Sequence, residues 1–453
     1  MVNRLSASDA AFYALKNTTT PMYVQSLYVL RNPRGGLGYE KVLATVEQRL
    51  PQTPRYRQKI REVTMNLARP VWVDDHDFDI TYHVRHLALP SPGSDQQLHE
   101  LIAHLNQQPL DRLRPLWEMY LIEGLADNRI ALYTKSHQTL VNGMAAPAIE
   151  HVLVDRTPRQ SHFDEDLWVP RGEPGSAELF LGAVGDWVSA PRTQLNWLGR
   201  KLFHTARMIG RGAAPRSPLN THVSQNRLFT VASGALEDYR TLRARYDCKI
   251  NDVILAVITG ALRNWLLSRG EPVPSTRTVR AMAPLSVRPD HEWESAGQSI
   301  GDLEPFLVDL PVGEPNAVIR LSQIAYANES HPNLTGLVNA QAILAVSGFA
   351  PPTLHAMGVR VATAYAGLSG RVFNLLITNA PGAQRQLYVC GTKLLETYCV
   401  PTLMPNKALT IGVTSYNGKV YYGVNADRKT MSDVGMVSTL LDEALAELLE
   451  AAK

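Results

Sequence analysis

Apolar and polar positions change their period repeatedly along this chain, and each change predicts a new element. Tyr23 to Leu30 alternates as a half-covered strand does, and Tyr39 to Leu50 places Val42, Leu43, Val46 and Leu50 on one helical face. Pro70 to Val73 is strand-like and runs into an acidic turn, Asp74 to Asp79. Gln96 to Gln107 predicts an amphipathic helix with Leu98, Leu101, Ile102 and Leu105 inward. Trp117 to Leu125 predicts a strand, with Trp117, Met119 and Leu121 on one face and Glu118 and Tyr120 on the other. Arg129 to Thr134 alternates again and delivers Lys135-Ser-His137-Gln138-Thr-Leu-Val-Asn142-Gly143. That glycine opens an apolar helical pattern, Met144 to Val154. Near the start, Leu5 to Phe12 reads as a short helix capped by Ser6 with Asp9 three residues on.

After Asp155 the text turns rich in proline, glycine and charge, as a connector does. Two helical patterns follow, Ala177 to Ala190 and Gln194 to Gly212. The second is basic and amphipathic, with Trp187 and Trp197 nearby, and suits either a membrane interface or an interdomain packing helix. Leu228 to Ala232 predicts a strand, Gly234 to Tyr246 a helix, and Cys248 to about Arg269 a long apolar helix with Asn251 as its N-cap. A strand at Thr278 to Met282 leads into Pro284-Leu-Ser286-Val-Arg288. Asn316 to Asn328 is helical, Phe373 to Thr378 a strand, and Asn379-Ala-Pro-Gly382 a turn. Asn417-Gly418 between alternating runs predicts a hairpin, and Met431 to Ala451 a closing helix. The elements by themselves predict only an α+β reading within the α/β class, with mixed sheets. The divisions fall at 1–160, 161–225 (the connector) and 226–453.

Composition narrows the function. The 453 residues are 45% hydrophobic and 19% charged, and the length predicts at least two cores. A net charge of +3 gives no footprint for nucleic acid. Cys248, Cys390 and Cys399 are too few and too scattered for a disulfide framework or a zinc site, so a reducing compartment is expected. The polar N-terminus lacks a signal-like run, and the longest apolar stretch, Ala342 to Ala350, is about half of a spanning helix. His76, His83 and His86 lie near aspartates but match no metal spacing, and no metal is expected. No Gly-x-Ser-x-Gly elbow or phosphate-gripping glycine loop is present.

His137-Gln138-x-x-x-Asn142-Gly143 resembles the His-His-x-x-x-Asp-Gly motif of the wax ester synthase/diacylglycerol acyltransferase family. Pro115-Leu116-Trp117-Glu118 is similar to that family's Pro-Leu-Trp-Glu element, Asn251-Asp252 to its Asn-Asp signature, and Asn379-Ala-Pro381-Gly382 to its Asn-Val-Pro-Gly-Pro turn. Ser286 and Arg288 lie in a further similar stretch. The resemblance runs from Leu5 to the final hairpin and is weakest between about 156 and 225. It implies two chloramphenicol-acetyltransferase-like domains with a tunnel between them. It also implies transfer of an acyl group from acyl-CoA to diacylglycerol or a long-chain alcohol, with no cofactor beyond acyl-CoA as co-substrate. The matched positions imply His137, Gln138, Asn142 and Gly143 at the catalytic centre. Pro115, Leu116, Trp117, Asn251, Asp252, Ser286, Arg288 and Asn379 are implied at the substrate. A cytoplasmic protein, peripheral at membranes or lipid droplets, is expected.

The motif departs from the family where chemistry needs it most. An acyl acceptor must lose its hydroxyl proton, and the family's second histidine takes it; an imidazole suits this because it titrates near neutral pH. Gln138 stands there and can only donate and accept hydrogen bonds. Asn142 has the size of aspartate without its charge. If the strand persists through His137, its side chain faces away from that of position 138. Three readings stay open: an acyltransferase using His137 or orientation alone, a binding protein without turnover, and an acyltransferase for another acceptor.

Overall fold

The computed structural model describes residues 3–5, 9–10, 13, 19–63, 69–141, 153–159, 168–175, 214–286, 303–329 and 372–453. Of the expectations above, Ser6, Asn142, Gly143, Arg288, both helical patterns within 177–212 and the stretch Ala342 to Ala350 lie outside them. Of the short N-terminal helix, Asp9, Ala10 and Tyr13 are described and helical.

Fifteen strands are described: β1 Tyr23–Arg31, β2 Gln58–Arg61, β3 Val71–Asp74, β4 Val84–Ala88, β5 Trp117–Leu125, β6 Arg129–His137, β7 Val154–Asp155, β8 Arg227–Ala235, β9 Val279–Ser286, β10 Leu303–Leu310, β11 Leu375–Pro381, β12 Tyr388–Val389, β13 Thr392–Cys399, β14 Leu409–Tyr416 and β15 Lys419–Asp427. The helices longer than two turns are α1 Tyr39–Arg49, α2 Asp95–Gln107, α3 Leu236–Tyr246, α4 Ile250–Ser268, α5 Ala317–Glu329 and α6 Val434–Ala451. Within the described residues the alternating runs at Tyr23, Trp117, Arg129 and Leu409 formed strands, and the 3.6-period runs at Tyr39, Gln96, Asn316 and Met431 formed helices.

Two mixed sheets organise the chain. The first has the order β4-β5-β6-β1-β13-β12-β7 and the second β10-β9-β11-β14-β15-β8. Strands β12 and β13 belong by sequence to the 226–453 stretch yet complete the first sheet, where β13 pairs antiparallel with β1. The sheets thus do not follow the sequence boundary at 226. The crossing chain passes close over the second sheet at two glycines: a Cβ on Gly423 would stand 1.9 Å from the Cys399 carbonyl oxygen, and one on Gly412 3.0 Å from the Cys399 side chain. Any larger residue at 423 would push β13 away.

Each sheet carries its own hydrophobic cluster. The first gathers Leu27, Trp117, Leu121 and Tyr133, the second Leu255, Trp265, Ile411 and Leu441. Among the described residues one helix, α4, is long and apolar enough to cross a membrane, but 78% of that span is buried inside the protein. Its apolarity is that of a core element.

Some element ends moved. Asn251 is not the N-cap of α4: Lys249 takes that position, and the Asp252 carboxylate accepts from the Lys249 backbone N–H at 2.9 Å, so the acidic residue of the pair closes the helix start. Strand β8 runs to Ala235, which delays α3 to Leu236, and β9 continues to Ser286. Val154, expected to end a helix, pairs instead with Val389 as a strand. Asn417 and Gly418 have φ of 45° and 80°, the left-handed pair that a two-residue hairpin turn requires.

Candidate functional site

The site is built where β5, β6 and β1 converge. Strand β6 lies between β1 and β5, and its last residue, His137, is opposite Tyr23. The His137 N–H donates to the Leu116 carbonyl at 2.9 Å, which fastens the motif to the Pro-Leu-Trp-Glu element. Gln138 then begins a one-turn helix, Gln138–Val141, and its N–H donates to the Met22 carbonyl at 2.9 Å. Its side chain is half-buried.

The His137 side chain is 5% exposed and faces the aromatic edges of Tyr13 and Tyr23, with ring centroids 6.4 and 6.0 Å away. Its Nδ1 accepts the Thr139 N–H at 3.2 Å, so the proton of the neutral ring sits on Nε2. Burial, with the Arg112 guanidinium adding to it, pushes the imidazole down to about 3. A histidine so placed is neutral throughout the physiological range.

Strand alternation places Tyr23, Gln25, Tyr133, Lys135 and His137 on one face, toward α2. Lys135 is fully buried and donates to the carbonyls of Leu105, at 2.9 Å, and Gln108, where α2 ends. Burial pushes its ammonium down to about 8. Tyr133 donates to Gln25, whose amide donates to Asn106 at 3.1 Å and to the Val400 carbonyl at 3.4 Å. Glu118 accepts from Tyr120 at 2.6 Å and meets Arg85 at 3.3 Å. The first sheet therefore keeps a hydrogen-bonded polar layer beneath the motif.

The opposite face holds Trp117, which is fully buried, donates from Nε1 to the Tyr56 carbonyl at 2.8 Å and stacks on His83 at 4.6 Å. These contacts make Trp117 a packing residue of the site's floor. Leu116 is buried beside it and Pro115 precedes the strand. In the loop before β5, Arg114 lies 3.7 Å from Asp111, while Arg112 turns inward to the Tyr13 carbonyl at 3.2 Å, its guanidinium over the Tyr13 ring at 4.6 Å.

The histidines near the acidic turn part company. His76 bonds to the Arg171 carbonyl, His83 donates from Nδ1 to the Trp117 carbonyl at 2.8 Å, and His86 pairs with Glu123 at 3.1 Å. They do not converge on one point, and among the described residues no cluster of three or more metal-ligating side chains forms.

The second group of expected residues meets elsewhere. The Asn379 amide donates to the Asn251 side-chain oxygen at 3.1 Å, and Asp252 accepts from Asn328 at 2.5 Å. The Asn-Asp signature thus ties the start of α4 to the end of β11 and to α5. Ser286 ends β9. Sequence reading missed Tyr13, Tyr23 and Thr139 as the neighbours of His137. Tyr23 is opposite only through the strand register, for which the sequence carries no direct signal; Thr139, two residues on, was within reach of a capping argument.

Comparison with known proteins follows the same order along the chain. Residues 5–254 match the wax ester synthase/diacylglycerol acyltransferase catalytic domain, and residues 303–449 match the C-terminal domain of that family. A Mycobacterium tuberculosis protein named as a probable diacylglycerol O-acyltransferase, tgs3, is 62% identical over 265 residues, covering 55% of this chain and 98% of that protein. The wax ester synthase/diacylglycerol acyltransferase of Marinobacter aquaeolei VT8 superposes with a TM-score of 0.73 at 26% identity, over 99% of both chains. The first condensation domain of the CDA synthetase has a TM-score of 0.56 at 15% identity, over 100% of this chain and 96% of that one, a likeness of fold.

Proposed function

Because the chain belongs to the wax ester synthase/diacylglycerol acyltransferase family, we propose that it is an acyl-CoA-dependent O-acyltransferase of storage-lipid synthesis, converting diacylglycerol to triacylglycerol and long-chain alcohols to wax esters. The observation that carries this reading is the match of both family domains in order along the chain. The acceptor's hydroxyl oxygen attacks the thioester carbonyl, a C–O bond forms, the C–S bond breaks, and the sulfur of CoA ends with the proton. No metal or further cofactor is called for by that balance.

The substituted motif changes how the step is helped. Gln138 occupies the family's base position and can hold the acceptor hydroxyl by its amide without taking its proton. Positioning alone supplies a large part of the acceleration of a two-substrate reaction. A missing general base costs typically about 10²–10⁴-fold. The reading is therefore of a slow acyltransferase working by orientation, with the thiolate, a better leaving group than an alkoxide, receiving the proton late.

One observation favours a second reading, binding of acyl-CoA and lipid without turnover: at the motif, the His137 lone pair is taken by the Thr139 N–H and Gln138 does not titrate. The deciding experiment follows labelled long-chain acyl-CoA with purified protein and either diacylglycerol or hexadecanol. Labelled triacylglycerol or wax ester supports the transferase. Acyl-CoA binding with no product over hours supports the carrier.

We place the protein in the cytoplasm, peripheral at membranes or lipid droplets, since its acceptors are carried by such surfaces. Flotation with vesicles containing diacylglycerol tests this, using the wild type against Trp197→Glu with Phe203→Glu in the basic amphipathic stretch. Flotation that the variant leaves unchanged removes that stretch as the anchor.

A further inference from the structure

We propose that His137 is a positioning residue, the cap that fixes the turn presenting Gln138, rather than the proton acceptor of the transfer reaction. The inference rests on the transferase reading for its kinetic arm only.

A neutral imidazole has one in-plane lone pair, and a base must turn that lone pair toward the acceptor's hydroxyl. In His137 the lone pair is on Nδ1 and already accepts the Thr139 N–H at 3.2 Å. Thr139 is the second residue of the helix Gln138–Val141, so this is the bond an N-cap side chain makes. Moving the proton to Nδ1 would set two N–H groups against each other and leave the Thr139 donor unpaired inside the protein, where it is fully buried.

The ring has little freedom to turn. Tyr23 from β1 and Tyr13 from the N-terminal segment flank it edge-on, and the backbone on either side is tied to Leu116 and Met22. Thr139 is itself fastened, its hydroxyl reaching the Asp9 carbonyl at 3.3 Å. A single turn is thereby fixed at its backbone, its cap and its first side chains, and Gln138 projects from it.

The charged surroundings agree. Arg112 comes in from the loop before β5 and, behind burial, disfavours a second proton on the ring. Lys135, two residues back on the same face, lies with Nζ 4.9 Å from the Tyr23 ring centroid. Acidic influence falls on the neighbours of the ring: Glu118 acts on Tyr23 and Lys135, and Glu62 on Tyr13. Among the described residues no carboxylate accepts a bond from the His137 ring, and none of them serves as the partner that usually supports a charged imidazole.

The test has a spectroscopic arm and a kinetic arm. Full-length protein labelled with ¹⁵N-histidine is followed by NMR, with His137→Asn identifying the signal. The expected result is an unprotonated Nδ1 and a protonated Nε2, unchanged from pH 5 to pH 8. In the kinetic arm His137→Ala lowers kcat by about tenfold through loss of the cap. His137→Asn, which keeps capping chemistry but has no basic nitrogen, recovers most of that loss. An Nδ1–H tautomer, or a titration near pH 6–7 that the rate follows, overturns the proposal. So does a folded His137→Asn as inactive as His137→Ala. If the wild type shows no transfer, the transferase reading fails by itself, and the tautomer still decides the role of His137.

Discussion

The two sheets treat their helix-covered faces in opposite ways. In the second, Leu409, Ile411, Val413, Val424 and Leu441 belong to one apolar cluster with α4, and buried polar contacts sit at its edges, such as the hydroxyl pair Tyr239 with Tyr422 at 2.8 Å and the amide pair Asn379 with Asn251 at 3.1 Å. In the first, the face under α2 carries Gln25, Glu118, Tyr133, Lys135 and His137, each joined to a partner. Burying such groups is tolerable only when they are hydrogen-bonded, and a layer of them is easily spoiled by one change. The difference teaches that the second sheet is chiefly scaffold. The first gives up apolar burial to hold the motif in one geometry.

The sharpest way to test that division is to restore the family's base. Gln138→His together with Asn142→Asp is expected to raise acyl transfer by about 10²–10⁴-fold, measured with labelled acyl-CoA and diacylglycerol. A rate no higher than wild type would mean that the first sheet is no longer shaped for the reaction.

A substitution in the other sheet should do the reverse. Ile411→Ala, at a fully buried site, is expected to cost about 2–5 kcal/mol in urea unfolding while leaving turnover per folded molecule unchanged. A matching fall in turnover would show that the scaffold and the site are not separable.

The third comparison uses acid. Burial pushes the fully buried His83 down to about 4, whereas an unfolded histidine titrates near about 6.5. The unfolded state therefore binds this proton first. Stability from keeping His83 neutral is complete above about pH 6.5 and declines as pH falls toward 4, at up to about 1.4 kcal/mol per pH unit. His137 adds a second such slope, reaching to about 3. His83→Phe should shallow the decline between pH 6 and 4.5 by about one proton's worth in urea titrations, and an unchanged slope would remove His83 as a source of acid sensitivity.

The smallest effect is expected at the floor of the site. Trp117→Phe keeps the ring stacked near His83 but loses the bond to the Tyr56 carbonyl, and should cost about 0.5–1.5 kcal/mol with little change in KM. A large rise in KM would instead place Trp117 against substrate.

Much of this was legible before any coordinates. The alternation of Arg129 to Thr134 and of Trp117 to Leu125 predicted strands that formed, and Asn417-Gly418 predicted the hairpin that formed. Those signals are local: a period-two pattern or a left-handed turn is written into neighbouring residues. The motif's place at a strand end was legible for the same reason. The capping of α4 was misread because Asn251 and Asp252 both have suitable side chains, and only the backbone path decided that Lys249 precedes the first turn.

The sequence by itself determined the family, the strands and helices, and the absence of a titrating residue at position 138, since each depends on residue identity or on local periodicity. Tertiary structure decided the rest. That β13 leaves the second half to pair with β1, over Gly412 and Gly423, depends on contacts between residues hundreds of positions apart. That His137 is neutral, with its lone pair turned to Thr139, depends on what buries it: Tyr13, Tyr23 and the Arg112 loop come together only in the folded chain, and ring orientation and proton affinity are set by those neighbours rather than by the imidazole itself.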